Sequence, residues 1–214
     1  MIRRNRRPTG LALDPMWRTA VVCASGPSFS EEQAAFIIEA RQRDRCRVLV
    51  VSDNYRRVPN ADALLSADTG WWLHHIAAVR ALPFRGSCWT LNRNAAHRFG
   101  LHPLAVEQRP GLTDRHKVIR QGGNSGYHAI NLAFLFGAHR MILVGFDMRA
   151  SDGVQHWFGE HPPRLRTELP FARWIKAFGP LADDLRAEGV DVVNVSPDSA
   201  LTHFPKATLA DALA

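Results

Sequence analysis

Two strand-to-loop junctions carry the residue types that hold phosphate. In Val21-Val22-Cys23-Ala24-Ser25-Gly26-Pro27-Ser28-Phe29, an apolar run ends in a turn whose Ser25 and Ser28 hydroxyls stand beside backbone N–H groups leading into a helix. In Gln121-Gly122-Gly123-Asn124-Ser125-Gly126-Tyr127, three glycines and the Asn124 and Ser125 side chains precede a helix amino terminus, where unpaired N–H groups and the helix dipole attract anions. The same residues also make ordinary caps and tight connections, so taken singly they leave both readings open. Asp147 ends the run Ile142-Leu143-Val144-Gly145-Phe146, and Asp53, Asn54 and Asp68 occupy similar strand ends, where open α/β sheets keep working carboxylates and where turn-forming Asp is also common. His156 and His161 lie five residues apart in His156-Trp157-Phe158-Gly159-Glu160-His161-Pro162. Imidazole is a general acid or base near neutral pH, whereas this spacing, without a cysteine or a third histidine nearby, does not make a zinc site. Trp71-Trp72 either stacks a ring or fills core.

Several functions are excluded or left without a motif. There is no Gly-x-Gly-x-x-Gly and no Gly-x-x-x-x-Gly-Lys-Ser/Thr, which removes the two commonest nucleotide fingerprints. Cys23, Cys46 and Cys88 are odd in number and lack metal-ligand spacing, so they read as reduced core thiols and no metal ligands are assigned. Lys plus Arg is 27 against 20 Asp plus Glu, and lysine occurs only at 117, 176 and 206. Arginine excess favours an anionic partner through bidentate contacts, although genomic base composition produces the same excess. Nucleic acid is one such partner, but no motif indicates it.

The elements that must position these residues follow from length and pattern. A chain of 214 residues, 46% hydrophobic and 22% charged, fits one soluble α/β domain over 19–214, preceded by a basic arm over 1–18 with five arginines. No apolar run approaches the roughly 20 residues of a membrane span, and the basic amino terminus lacks the apolar stretch of a secretory signal, so a cytoplasmic location is expected. The pattern predicts strands over 19–24, 46–52, 61–67, 140–145 and 190–195, with shorter extended pieces over 88–91, 104–107 and 117–120. It predicts helices over 31–43 (capped by Ser28 or Ser30), 70–80, 127–136 and 170–188, and a short closing helix over 205–214. Strand, helix and strand over 19–52 make a right-handed βαβ unit. The whole reads as a Rossmann-like domain, a mostly parallel twisted sheet with helices on both faces. Residues 151–167, rich in Gly and Pro, form a lid-like loop over the sheet edge.

In this order and spacing, several segments resemble the bacterial sialyltransferases of glycosyltransferase family 42. Ala24-Ser25-Gly26-Pro27-Ser28 resembles that family's Gly-Asn-Gly-Pro-Ser turn. Ser125-Gly126 with its helix, and Ile142-Leu143-Val144-Gly145-Phe146-Asp147, resemble its Ser-Gly, helix and Gly-Ile-Asp-Phe strand end. His156-Trp157-Phe158-Gly159-Glu160-His161 is similar to a His-Tyr-Ile-Gly-His stretch, and Ser196-Pro197-Asp198-Ser199 to a Cys-Pro-Asn-Ser segment. The framework is also similar to archaeal 6-hydroxymethylpterin diphosphokinase-like proteins and, through Asn124-Ser125-Gly126-Tyr127 and His156-Trp157-Phe158-Gly159, to phage and prophage proteins of this type.

The resemblance implies a nucleotide at the strand carboxyl ends. Ser25, Gly26, Pro27 and Ser28 would meet its phosphate or ribose, Asn54, Asp68, Asn124, Ser125 and Gly126 would lie beside it, and His156 would be the general base on an acceptor hydroxyl. Asp147 and Arg149 complete the implied catalytic group. Met148-Arg149 replaces the family's tyrosines, and Arg149 can serve in their place as phosphate partner. Ser25 replaces its first Asn. The expected activity is glycosyl transfer from a nucleotide sugar such as a CMP-sugar to an acceptor that can itself be anionic, with no cofactor required. A diphosphokinase-like enzyme is the alternative and would need Mg2+, held by carboxylates such as Asp147. A third is a non-catalytic nucleotide- or nucleic-acid-binding protein.

Overall fold

Strands buried on both faces read as continuous apolar runs, and Ala20-Val21-Val22-Cys23 and Val48-Leu49-Val50-Val51 are such runs, each residue almost free of solvent contact. In the computed structural model, which describes residues 17–166 and 168–214, the chain forms β1 (Thr19–Cys23), α1 (Glu31–Gln42), β2 (Arg47–Val51), β3 (Ala63–Leu65), α2 (Thr69–Ala81), β4 (Ser87–Thr90), α3 (Arg93–Phe99) and β5 (His102–Pro103). It continues through β6 (Ala105–Glu107), β7 (Val118–Arg120), α4 (Ser125–Leu135), β8 (Arg140–Val144), α5 (Phe171–Ala187), β9 (Asp191–Asn194) and α6 (Leu209–Ala212). Seven strands pair in the order β5-β4-β3-β2-β1-β8-β9, all parallel, and β6 with β7 forms a separate parallel pair.

The two-residue alternation of the strands sorts the core into two layers. Ala20, Val22, Leu49, Val51, Met141 and Leu143 face α4 and α5, whereas Val21, Cys23, Val48, Val50, Ile142 and Val144 face α1, α2 and α3. This is the Rossmann-like arrangement expected. Buried Cys23 and Cys46 are free, and desolvation pushes both thiols up, Cys46 to about 11, which makes them inert.

Local chemistry explains the ends of these elements. Ser30, not Ser28, caps α1: its hydroxyl accepts from Gln33 N–H at 3.2 Å while the Gln33 side chain accepts from Ser30 N–H at 3.2 Å, a capping box. Ser28 is left for another partner. Helix α3 and strand β5 were not anticipated, because α3 is a single seven-residue stretch beginning Arg93-Asn94 and β5 has only two residues. The basic arm read over 1–18 lies almost wholly outside the described residues; within it, Trp17 is buried against Phe136 with ring centroids 4.5 Å apart.

Between β5 and α4 the chain makes an excursion that carries β6 and β7. It is tied back at three points: the Tyr127 hydroxyl accepts from Gly111 N–H, Asp184 accepts from Leu112 N–H at 2.8 Å, and Asn131 accepts from Arg120 N–H at 3.2 Å.

From β1 the chain steps outward through β2, β3, β4 and β5, then returns to lay β8 and β9 on the other side of β1. Connections leaving β1 and β8 therefore diverge, and a crevice opens at their carboxyl ends. Gly145, directly after β8, has φ +69°, and a Cβ there would stand 2.4 Å from the Ala24 carbonyl oxygen. We predict that Gly145→Ala lowers unfolding free energy by at least about 2 kcal/mol, read as a reduced urea midpoint at unchanged m-value.

Candidate functional site

A cleft of about 790 Å³ occupies that crevice, and both serine-glycine bends line it, Ser25-Gly26 on one side and Asn124-Ser125-Gly126 on the other. The first bend prolongs the β1–β8 ladder beyond the strands. Ala24 N–H donates to the Val144 carbonyl at 2.8 Å and Gly26 N–H to the Gly145 carbonyl at 2.9 Å. Only glycine fits at 26, since a Cβ would lie 1.9 Å from an Asp147 carboxylate oxygen. That oxygen accepts the Ser28 hydroxyl at 2.9 Å, and the Asp147 carbonyl accepts Ala200 N–H at 2.8 Å. Burial raises the Asp147 carboxyl above the ordinary carboxylate range, with the Ser28 bond opposing. Asp147 thus joins the first bend, the β8 end and the segment after β9 while still lining the cleft.

The second bend is a helix amino terminus with free donors. The Asn124 side-chain oxygen caps α4 by accepting from Tyr127 N–H at 2.9 Å, while its amide nitrogen is buried without a partner. Ser125 and Gly126 are the first helical residues, so helix geometry leaves their N–H groups without intrahelical acceptors. Gln121 supports the bend from behind, its side-chain oxygen accepting from Gly123 N–H at 2.9 Å and meeting His128 Nε2 at 2.7 Å. Because Gly123 marks that atom as the oxygen, His128 carries its proton on Nε2. Burial pushes His128 down to about 4.

The 151–166 segment crosses the opening as a strap pinned at its middle. Trp157 N–H donates to the Ser25 carbonyl at 3.1 Å, and its indole N–H donates to the Asn54 side-chain oxygen at 2.7 Å. The Arg57 guanidinium lies 3.8 Å from the Trp157 ring centroid. His156 is part-buried and stacks on Phe158 with ring centroids 5.0 Å apart. Desolvation, then the neighbouring His161, push His156 down to about 4, partly opposed by the Ser25 backbone and the Asp53 carboxylate, so it is neutral at pH 7. His161 also lines the cleft, with one ring nitrogen buried and unpartnered.

Of the residues singled out in the sequence, Ser25, Gly26, Asp68, Asn124, Ser125, Gly126, Asp147, Arg149 and His156 line one cleft. Pro27 and Ser28 do not line it, Ser28 having turned to Asp147. Asn54 also departs from its expected place: fully buried, it donates to the Cys23 carbonyl at 3.0 Å, the Val51 carbonyl at 2.6 Å and the Ser25 hydroxyl at 3.1 Å. Asp53 is turned away to Trp71 Nε1 at 2.9 Å and Arg56 at 3.0 Å. Trp72 is core, whereas Trp71 reaches the cleft wall. Arg149 is exposed and, among the described residues, bonds the backbone oxygens of Ala150 and Asp198. Gln121, His128, Arg164 and Trp174 also line the cleft. Nothing in their spacing marked them as a group, though Gln121 and His128 flank the glycine-rich bend.

Among the described residues no three metal-ligating side chains converge, and no helix is long and apolar enough to cross a membrane. Fold and site together define a Rossmann-like α/β protein with an open cleft at its topological switch point. No protein-family model matches the chain, and no curated protein matches it significantly.

The buried imidazoles make stability depend on pH. His75, like His128 and His156, is pushed down to about 4 from 6.5, chiefly by desolvation. Between those values the unfolded chain binds more protons, so this stabilisation is complete above about pH 6.5 and is lost as pH falls toward 4. Asp147, raised by burial, works in the opposite sense at the acid end. The urea midpoint should fall from pH 7 to pH 5, with about three protons taken up on unfolding near pH 5 and about one fewer in His128→Gln. A midpoint that stays flat across that range would contradict the assignment.

Proposed function

We propose that the chain is a nucleotide-dependent transferase of the glycosyl-transferring kind, using a nucleotide-sugar donor of the CMP-sugar type. One observation carries the reading: a neutral imidazole and a floor rich in unpaired hydrogen-bond donors share the same cleft. The unpaired donors are the Asn124 amide nitrogen and the Ser125 and Gly126 N–H groups; the Arg149 guanidinium lines the same cleft with its Nε and Nη1 already engaged by backbone oxygens.

This division of labour suits glycosyl transfer. As the acceptor oxygen bonds to the anomeric carbon, the bond to the nucleotide phosphate breaks and charge grows on the departing phosphate oxygens. Donors fixed in advance at a helix amino terminus stabilise that charge. The acceptor hydroxyl must lose a proton as it attacks, and His156, unprotonated at neutral pH, can accept it. A neutral imidazole carries one acceptor nitrogen, which is the group such a step needs. Asp147, locked to Ser28 beside Gly26, shapes the first bend. The resemblance to family 42 sialyltransferases agrees with this assignment of His156, while Arg149 takes the place of the tyrosine hydroxyls.

Thermal-shift measurements with CMP, CMP-sugars, UDP-sugars, GTP and ATP, each with and without magnesium, test the reading. Cytidine nucleotides should raise the melting temperature without magnesium. Stabilisation by triphosphates only when magnesium is present would favour diphosphoryl transfer instead. His156→Gln should lower turnover by about 10²- to 10⁴-fold while the nucleotide-induced shift persists. Unchanged turnover in that variant would remove His156 as the base.

A further inference from the structure

Asn54 has no solvent-facing surface, yet its side chain meets both the first bend and the strap. Its amide nitrogen reaches the Ser25 hydroxyl at 3.1 Å, and its side-chain oxygen accepts the Trp157 indole N–H at 2.7 Å. Two further bonds, to the Cys23 and Val51 carbonyls, fix its position relative to the ends of β1 and β2. Trp157 closes the ring by donating its backbone N–H to the Ser25 carbonyl at 3.1 Å. At Trp157 the strap therefore cannot lift without breaking the indole bond to Asn54 and the backbone bond to Ser25.

We propose that Asn54 and Trp157 form a clamp that positions His156 over the Ser25 bend, with Asn54 acting as a positioning residue rather than as a nucleotide contact. The inference rests on the reading of His156 as the base. The clamp acts through adjacency. Trp157 follows His156 directly, so fixing the indole at Asn54 and the peptide N–H at Ser25 fixes the backbone from which the imidazole projects. The charged and titratable groups around His156 are His161, at 5.0 Å between ring centroids, and the Asp53 carboxylate. Phe158 covers one face of the ring. An unclamped strap would let water reach the imidazole and would move it relative to the acceptor.

Trp157→Phe removes the indole donor and keeps an aromatic ring under Arg57. The ring protons of His156, assigned by their loss in His156→Gln, are followed by NMR as pH is lowered. In the parent protein they should titrate near pH 4, and in Trp157→Phe at least about one unit higher. Turnover should fall between about ten- and a hundredfold, with the CMP-induced melting shift unchanged. Should Trp157→Phe fail to fold by circular dichroism, Arg57→Gln carries the same readout. It uncovers the Trp157 ring without stranding the Asn54 oxygen, and a smaller upward move of the same sign is expected. A folded variant in which His156 titrates as in the parent protein overturns the clamp, whatever its activity. If the titration moves while no donor is turned over by any form, the clamp stands and the transferase reading falls.

Discussion

The close pairing of β1 with β8 is the constraint on which the site depends. Parallel strands keep their carboxyl ends together, and here the hydrogen-bond ladder does not stop where the strands do. It continues through Ala24 to Val144 and Gly26 to Gly145, so the two loops leave the sheet back to back at a distance that admits no side chain at either glycine. Asp147 is thereby brought against Ser28, and the Ser25 carbonyl is presented to the strap. With a Cβ at Gly26 or Gly145 the two loops would separate, and the cleft floor would lose one of its walls.

Much of this was legible in the sequence because topology does the gathering. Once 19–24, 46–52, 61–67 and 140–145 are read as buried parallel strands, the residues after them must collect along one edge. Ser25, Gly26, Asp68 and Asp147 do so, and the α4 terminus joins them. The apolar runs and the polar first turns of α1 and α4 supplied that reading without any knowledge of contacts.

What escaped was the direction in which individual polar side chains turn. An Asn after a strand looks the same whether it faces a ligand or binds four groups of its own chain, and Asn54 does the latter. Asp53 similarly spends its carboxylate on Trp71 and Arg56. The partner that decides the role of Asn54, Trp157, lies 103 residues away along the chain, beyond the reach of any local pattern. Helix α3 was missed for a different reason: it is too short to display a period, and its Asn92 cap serves a helix held mainly by packing against α2 and β4.

The excursion that carries β6 and β7 makes the anion-attracting end of α4 unusually well braced. Gly111 holds the Tyr127 hydroxyl, Leu112 and Arg120 lean on Asp184, and Asn131 receives the Arg120 N–H one turn farther along. The helix is therefore splinted from its flank through Tyr127 and Asn131. The Ser125 and Gly126 N–H groups are thus held in one direction, and an anion placed in the cleft would have to meet them where they stand.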